Sequence, residues 1–152
     1  MDIEIKRLKK LGSSSEILKI ARLEKEIFTD PWSENSLNSS NESLTTMFFV
    51  AKVEDSIVGY LIMYAMVPEG EIVRIGVSSD FRRQGIGKAL FAEVKKYCKE
   101  KKIKRLLLDV RSKNATAIRF YKSLGFHKDG VRKYFYNNPE DDAILMSKHM
   151  WI

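Results

Sequence analysis

A basic, glycine-containing segment near the middle of the chain has the residue types and spacing that most directly suggest chemistry. Arg82 and Arg83 precede Gly85 and Gly87, and Lys88 follows within a pattern typical of a helix start. The first turn of a helix presents unpaired backbone N–H groups and a partial positive charge, which together favour a bound anion. Glycine leaves room for a phosphate to approach the backbone. The segment therefore predicts a pyrophosphate-binding site.

Two familiar phosphate loops do not fit this segment. A Walker loop requires Lys-Ser or Lys-Thr after its second glycine, whereas Lys88 is followed by Ala89. The dinucleotide-binding fingerprint requires three glycines, and the third is missing here. A basic helix start that is exposed to solvent and binds no ligand is the alternative that these residues leave open.

A second set of polar residues that could do chemistry lies further along the chain. Asn114 and Tyr121 are seven residues apart on one predicted helix, so two turns bring them to the same face. Asp109 stands at the end of the strand before that helix. Asn114 has a structural alternative as a helix cap, and Tyr121 as an aromatic residue of the core. For Asp109 the alternative is an ion pair with Arg111 or a bond to a backbone N–H.

Strand and helix patterns alternate along the chain and must position these groups. Alternating or β-branched runs predict strands at residues 3–8, 47–53, 57–67, 71–77, 105–110, 126–135 and 142–150. Amphipathic runs predict helices at residues 16–27, 85–101 and 114–124, and Ser33 is expected to cap a further short helix. The order β-α-α-β-β-β-α-β-α-β-β predicts a mixed α/β fold whose sheet carries helices on its faces.

Five local features add to these expectations. Residues 35–46, rich in Ser, Asn and Thr, indicate a loop or a frayed helix end, and residues 68–70 indicate a turn. The three successive leucines at 106–108 favour burial on both faces of a strand. Gly125 is expected to end the last helix. Gly76 inside a strand favours a β-bulge or the close approach of another group to the backbone.

The composition is that of a globular domain. The 152 residues are 44% hydrophobic and 31% charged, which predicts one domain over residues 1–152. The sequence has no apolar run long enough to span a bilayer, and residues 1–8 lack the continuous apolar stretch of a signal peptide, so we expect a cytoplasmic protein. Cys98 is the only cysteine, which excludes an intrachain disulfide and favours a small apolar residue on a helix.

The charge of the chain bears on its partners. A net charge of +7 favours an anionic partner, either a nucleic acid or a phosphorylated cofactor. Basic residues cluster at 82–83 and over 95–105, and the second cluster is typical of a solvated helix face. The sequence shows no basic arm, zinc-finger spacing or RNA-binding aromatic motif. These patterns favour the phosphorylated cofactor.

Several motifs, in order along the chain, resemble the GNAT superfamily of acetyltransferases. Arg-Arg-Gln-Gly-Ile-Gly at residues 82–87 is similar to the Arg/Gln-x-x-Gly-x-Gly/Ala signature that holds the coenzyme A pyrophosphate in that family. Residues 114–126 resemble its Asn-x-x-Ala-x-x-x-Tyr-x-x-x-Gly-Phe stretch. Phe-Thr-Asp-Pro-Trp-Ser at residues 28–33 and the closing hairpin at 132–146 resemble the RimI-like members, which acetylate protein N-terminal α-amines.

The resemblance implies a single GNAT domain with splayed central strands, in which acetyl-CoA is the cosubstrate and no metal takes part. It implies transfer of the acetyl group to the N-terminal α-amine of a ribosomal protein, or of a broader set of proteins, by direct attack in a ternary complex. The residues that the resemblance assigns to acetyl-CoA are Ile75, Gly76, Val77, Arg82, Arg83, Gln84, Gly85, Ile86, Gly87, Lys88, Asn114 and Tyr121.

The family pattern also implies catalytic roles. Its base, a glutamate just before Val-Arg, corresponds to Asp109, and its tyrosine acid corresponds to Tyr121. Aspartate is shorter by one C–C bond, about 1.5 Å. A water chain, or Glu71 on the neighbouring strand, is therefore the alternative base.

The acceptor is expected to contact Trp32, Tyr134 and Tyr136. Phe135 stands where relatives have a tyrosine and has no hydroxyl to donate, so Tyr134 or Tyr136 must supply that group. Trp32 has two alternatives, since it either walls the acceptor mouth or belongs to the core.

Two other functions remain open. One is a GNAT enzyme for a small amine, such as a polyamine or an amino sugar, which would need a cluster of carboxylates. The candidates for that cluster are Glu69, Glu71, Glu140, Asp141 and Asp142. The other is a non-catalytic module that binds acetyl-CoA or nucleic acid. We expect no membrane partner, nucleic acid only by way of a ribosomal substrate, and either a monomer or a homodimer.

Overall fold

The computed structural model describes residues 2–10 and 13–151, so both ends of the predicted domain, Met1 and Ile152, lie outside the described residues. The predicted order of strands and helices is confirmed, with one added 3₁₀ turn. The elements are β1 (Glu4–Arg7), α1 (Ser14–Ile27), α2 (Glu34–Glu42), β2 (Thr46–Val53), β3 (Ser56–Met66), β4 (Glu69–Val77), the 3₁₀ turn (Ser79–Phe81), α3 (Ile86–Lys101), β5 (Arg105–Arg111), α4 (Ala115–Ser123), β6 (His127–Tyr136) and β7 (Asp141–His149).

The strands form one sheet in the order β1-β2-β3-β4-β5-β7-β6. Each neighbouring pair is antiparallel except β4 and β5, which are parallel. The parallel ladder covers only Glu69–Glu71 against Arg105–Leu107, and β4 then runs on to Val77 without β5 beside it. The two central strands therefore separate into a V-shaped gap, which confirms the predicted splay.

Two apolar clusters lie on opposite faces of the sheet. The larger cluster joins the sheet to α3 and α4, and contains Phe49, Met63, Leu90, Leu106 and Met146. The smaller cluster joins the sheet to α1 and α2, and contains Ile17, Ile20, Leu37, Phe48 and Ile62. Alternate side chains of β2 and β3 supply the two clusters, as the pleat requires.

The β-bulge of β4 lies at Val73, so its prediction at Gly76 is wrong. Ile62 and Met63, adjacent on β3, pair with Arg74 and Ile72, which leaves Val73 as the extra residue. Gly76 instead pairs regularly with Tyr60. A Cβ on Gly76 would lie 2.8 Å from the Tyr60 hydroxyl, so the expectation of a close approach is confirmed and the approaching group is a side chain.

The bulge changes which residues of β4 share a face. A regular strand places residues two apart on one face, so Glu71 would share a face with Val73. The extra residue instead puts Glu71 and Arg74 together on the face towards α1. That face carries both the gap and the helix pair α1–α2.

Other local expectations are partly corrected. Ser33 caps α2, since its hydroxyl accepts from the Ser36 N–H at 3.1 Å, and the segment after it is helical as far as Glu42. The turn between β3 and β4 is at residues 67–68, because Glu69 and Gly70 already belong to β4. Leu107 is only half-buried, whereas Leu106 and Leu108, on the other face of β5, are buried. Gly125 follows α4 with φ +98°, which confirms the predicted helix end.

Across the part of the chain that the structure describes, no helix has both the length and the apolar composition needed to cross a bilayer.

Candidate functional site

The loop between β4 and α3 forms a concave backbone. Arg83 and Gly85 have left-handed φ angles of +63° and +78°, and such residues within a short loop are typical of anion-binding concavities. The first backbone bond of α3 runs from the Ala89 N–H to the Gly85 carbonyl, so the three preceding amides have no partner within the helix. A Cβ built on Gly85 meets no atom within 4 Å, so the space beside it is open.

The charge around this loop suits a diphosphate. Arg82, Arg83 and Lys88 are exposed, and none of them forms an ion pair with a described carboxylate. The first turn of α3 contains no acidic residue. Gln84 donates to the Asp80 carbonyl at 3.4 Å, which helps to define the loop. The residues present therefore fit the pyrophosphate of coenzyme A.

Gly87 is glycine because of packing against α4, whereas contact with the cofactor was expected. A Cβ at this position would lie 2.8 Å from Cζ of Phe120 on α4. The missing side chain thus allows α3 to pack closely against α4. Its contact with the cofactor remains a prediction.

Strand β4 presents backbone donors to the gap. The Ser78 N–H donates to the Val58 carbonyl on β3 at 2.8 Å. Because N–H directions alternate along a strand, those of Ile75 and Val77 point away from β3 and towards the gap. This arrangement fits the predicted role of residues 75–77 in pairing with the amide groups of a pantetheine arm.

Asn114 is the N-cap of α4, since its Oδ1 accepts from the Ala117 N–H at 3.1 Å. The structural alternative for this residue is therefore confirmed. The side chain is exposed, and its Nδ2 makes no hydrogen bond with the residues described. The Nδ2 atom remains available to a ligand, whereas Oδ1 caps the helix.

Tyr121 combines a core ring with a free hydroxyl. The ring is buried, 5.6 Å from that of Phe126 and 5.5 Å from that of Phe120, measured between centroids. The hydroxyl has no hydrogen-bond partner among the described residues. Burial, followed by the nearby Tyr136 hydroxyl, raises the pKa of Tyr121 above its ordinary value. The phenol is therefore protonated at neutral pH and can donate.

Two carboxylates meet where the central strands separate. Glu71 is the last residue of β4 that pairs with β5, and its partner is Leu107. Asp109 lies two residues beyond Leu107, on the same face of the sheet. Burial, and then the charge of Asp109, raises the pKa of Glu71. A carboxylate with a raised pKa at a gap between strands has the properties of a general base.

The structural alternative of an ion pair between Asp109 and Arg111 is wrong. Arg111 instead donates to the carbonyls of Pro139 at 2.8 Å and Asn137 at 3.3 Å. Its guanidinium carbon also lies 4.4 Å from the centre of the Tyr136 ring. Arg111 therefore fixes the β6–β7 turn and the position of Tyr136.

Tyr136 interacts electrostatically with groups on both sides of the site. Burial raises its pKa, and so does the charge of Asp109. The Tyr136 hydroxyl in turn raises the pKa of Tyr121. The pKa values of Glu71, Tyr136 and Tyr121 are therefore coupled either to Asp109 or to one another.

Of the other two predicted acceptor residues, Tyr134 lies on β6 and Trp32 in the loop between α1 and α2. Tyr134 is 73% exposed and has a φ of +55°, with its N–H held by Asp142 at 2.9 Å. Trp32 is half-buried, and its ring packs partly against the smaller core cluster. It also lines a shallow depression with Pro31, Ser33, Ser36 and Ser40. Contact of these residues with an acceptor remains a prediction.

The carboxylates that a small-amine site would need are dispersed. Glu69 pairs with Arg105 at 3.3 Å, at the end of β4 opposite to the anion-binding loop. Asp141 accepts from Ser112, and Asp142 is held by Lys133 and Tyr134. Of the five, Glu71 lies where β4 and β5 separate, and Asp141, whose charge also raises the pKa of Tyr136, is engaged by Ser112. Among residues 2–10 and 13–151, no three His, Cys, Asp or Glu side chains are placed to hold a metal ion.

Sequence reasoning missed two sets of residues around the site. Arg111 gave no local signal, because its partners are 26 and 28 residues away. Glu24 and Arg74 form a buried ion pair beneath the loop between α1 and α2, with 2.8 Å between charged atoms. Glu24 did give a signal, since it is the one polar residue on the apolar face of α1.

Comparisons with known proteins agree with this geometry. Residues 17–126 match the model of the acetyltransferase (GNAT) family. The chain is 31% identical over 119 residues to the ribosomal protein bS18-alanine N-acetyltransferase of Escherichia coli (strain K12), covering 77% of this chain and 80% of that protein. It is 36% identical over 113 residues to an N-alpha-acetyltransferase of Sulfurisphaera tokodaii, covering 66% and 67%.

A solved structure shows the same fold. The crystal structure of the ribosomal-protein-S18-alanine N-acetyltransferase from Escherichia coli superposes with a TM-score of 0.88 at 25% sequence identity. The match covers 99% of this chain and 96% of that one. The similarity therefore extends over the whole sheet and its helices.

Proposed function

Because the chain belongs to the GNAT family of acetyl-CoA-dependent N-acetyltransferases, we propose that it acetylates the N-terminal α-amine of a protein, with a ribosomal protein as the first candidate acceptor. One GNAT domain spanning residues 1–152 carries the activity, in the cytoplasm. The proposal is supported by the gap between β4 and β5, where Glu71 and Asp109 lie on one face of the sheet and are electrostatically coupled.

The two substrates enter the gap from different sides. The loop before α3 and the amides of α3 hold the diphosphate of acetyl-CoA, with Arg82, Arg83 and Lys88 supplying charge. The free N–H groups of Ile75 and Val77 hold the pantetheine arm. Acetyl-CoA, when bound, supplies an activated thioester. The acceptor reaches it from the face that carries α1 and the β6–β7 turn, so that both substrates are bound together.

Glu71 is the base in this proposal. An α-amine has a pKa of about 7.7–8.0, so most of it is protonated at pH 7 and cannot attack. Glu71 takes this proton, directly or through water, and its raised pKa improves the match to the amine. The raised pKa of Glu71 comes first from burial and then from the charge of Asp109. The shorter side chain of Asp109 thus acts alongside a glutamate on the neighbouring strand.

Tyr121 is the acid. Its phenol is held protonated by burial, and its hydroxyl is uncommitted within the described structure. It can therefore donate a proton to the sulfur that leaves when the acetyl group is transferred. Tyr136, whose ring is held by Arg111, orients the acceptor amine.

A peptide library and a panel of small amines test the choice of acceptor. The purified protein is incubated with acetyl-CoA and each acceptor, and release of free thiol is followed. We expect turnover on peptides with a free N-terminus, because the carboxylates that a polyamine needs are dispersed. Turnover only on polyamines or amino sugars would overturn the proposal. Mass spectrometry of protein N-termini in cells with and without the gene would then identify the acceptor.

Calorimetry with acetyl-CoA tests the third alternative. A folded protein that binds acetyl-CoA but acetylates none of the acceptors would be a non-catalytic module. A folded protein that shows no saturable heat with acetyl-CoA would remove the cofactor assignment as well.

A further inference from the structure

A buried carboxylate lies beneath the loop that joins α1 to α2. Glu24 is fully buried, and four hydrogen bonds converge on its two oxygens. The donors are the Trp32 backbone N–H at 2.8 Å, the Tyr60 hydroxyl, and two nitrogens of Arg74 at 2.8 and 3.0 Å. Charged groups are rarely buried in this way unless they are paired, and this pair is complete.

Arg74 extends the network to the loop itself. Its Nη2 donates to the Asp30 carbonyl at 3.1 Å and lies 3.7 Å from the Asp30 carboxylate. Its guanidinium carbon is 3.6 Å from the centre of the Phe28 ring. Together with the bond from Glu24 to Trp32, these contacts fix the loop at three separate residues.

The same network reaches the strand that lines the gap. Arg74 pairs with Ile62 and so lies on the α1 side of β4, where the bulge at Val73 lets Glu71 share its face. The Tyr60 hydroxyl, bound to Glu24, would lie 2.8 Å from a Cβ on Gly76. One set of bonds therefore connects the α1–α2 loop to β4.

The buried charges of Glu24 and Arg74 favour a role in positioning the α1–α2 loop over a role in stability. Replacing a buried ion pair by apolar side chains of similar volume is often neutral or stabilising, so stability alone gives little reason for a charged pair here. We propose that Glu24 and Arg74 are positioning residues, which hold residues 28–32 in the place where an acceptor peptide binds. This inference rests on the proposed function, since it concerns the acceptor of that reaction.

The decisive variant removes the network and keeps the packing. Glu24→Met, Tyr60→Phe and Arg74→Met together leave no buried charge or hydroxyl without a partner. The control is Arg7→Met with Glu93→Met, which removes a partly buried ion pair of the same 2.8 Å length, and the more exposed contact of Arg7 with Glu100, on the other side of the sheet. Thermal unfolding shows that each variant is folded.

Steady-state kinetics on a peptide that the parent acetylates gives the first measurement. We expect kcat/KM for the peptide to fall about 10²-fold in the triple variant, through KM more than kcat, because misplacing a substrate contact by 1 Å has an effect of that size. Acetyl-CoA affinity and the control variant should be unchanged. An unchanged peptide KM in the folded triple variant would overturn the proposal. If the triple variant does not fold, Arg74→Lys keeps the charge and loses the two-nitrogen contact, and an unchanged KM there would also overturn it.

Tryptophan fluorescence gives a second measurement that does not depend on activity. The chain has two tryptophans, so Trp151→Phe leaves Trp32 in the loop as the single emitter. In this background the triple variant should show stronger acrylamide quenching of Trp32, and the control should not. Stronger quenching of Trp32 in the triple variant, when the parent acetylates no peptide, would contradict the proposed function and leave the positioning role standing. Peptide acetylation by the parent, with quenching and peptide KM unchanged in the triple variant, would contradict the positioning role and leave the proposed function standing.

Discussion

Replacing Tyr121 by Phe removes one hydroxyl and keeps the ring. Because that hydroxyl has no hydrogen-bond partner among the described residues, the free energy of unfolding should not fall. The ring remains packed against Phe126. If the hydroxyl is the acid, its loss should lower kcat about 10²–10⁴-fold. That factor corresponds to about 3–5 kcal/mol of transition-state stabilisation.

The assay is thiol release at saturating acetyl-CoA with an accepted peptide, together with calorimetry of acetyl-CoA binding and a thermal melt. We expect a large loss in kcat, an unchanged melting temperature and an unchanged affinity for acetyl-CoA. Since the pKa of Tyr121 is raised, the parent should keep this acid protonated through the ordinary titration range of tyrosine. Its activity should therefore show no alkaline decrease from Tyr121 within that range.

Tyr97→Phe is the matched control. Tyr97 is also a buried tyrosine, on α3, with its ring 5.7 Å from that of Phe49 and away from the gap. It should retain the activity of the parent. An unchanged kcat in Tyr121→Phe would refute the acid role, and an equal loss in Tyr97→Phe would show that the effect comes from the core.

Three further changes test the site. Glu71→Gln should lower kcat. The pKa of Glu71 lies above the usual 4.5, and the activity of the parent should fall as the pH drops through it, because protonation removes the base. A pH–rate profile that is the same in the parent and in Glu71→Gln would contradict this role. Gly85→Glu should weaken acetyl-CoA binding in calorimetry, because φ +78° costs a side chain about 1–2 kcal/mol and the carboxylate repels phosphate. Gly87→Ala should lower the melting temperature, because its methyl group would lie 2.8 Å from Phe120, and an unchanged melt would refute that packing role.

Much of the fold follows from local sequence patterns. The apolar period of two or of 3.6 residues identifies each strand and helix, because it depends only on neighbours along the chain. The Ser33 and Asn114 caps are equally local, since each side chain bonds an amide three residues ahead. The loop at Gly85 is a feature of the same kind.

The reasons behind several residues depend on partners elsewhere in the chain. The bulge at Val73 exists only in relation to β3, so a strand pattern cannot show it. Gly87 packs against Phe120, whereas its place in a motif suggested a phosphate contact. The segment after Ser33 has a weak helical pattern, and burial of Leu37 and Asn41 against the rest of the protein accompanies its helix.

The sequence by itself determined the order of elements, the glycine-containing loop before α3 and the identity of the polar groups, because these depend on interactions within a few residues. The tertiary structure decided that Glu71 faces Asp109, that Arg111 holds the β6–β7 turn and that Glu24 meets Arg74, 50 residues away. The physical reason is that strand register sets the face of each side chain, and burial by distant elements sets its pKa.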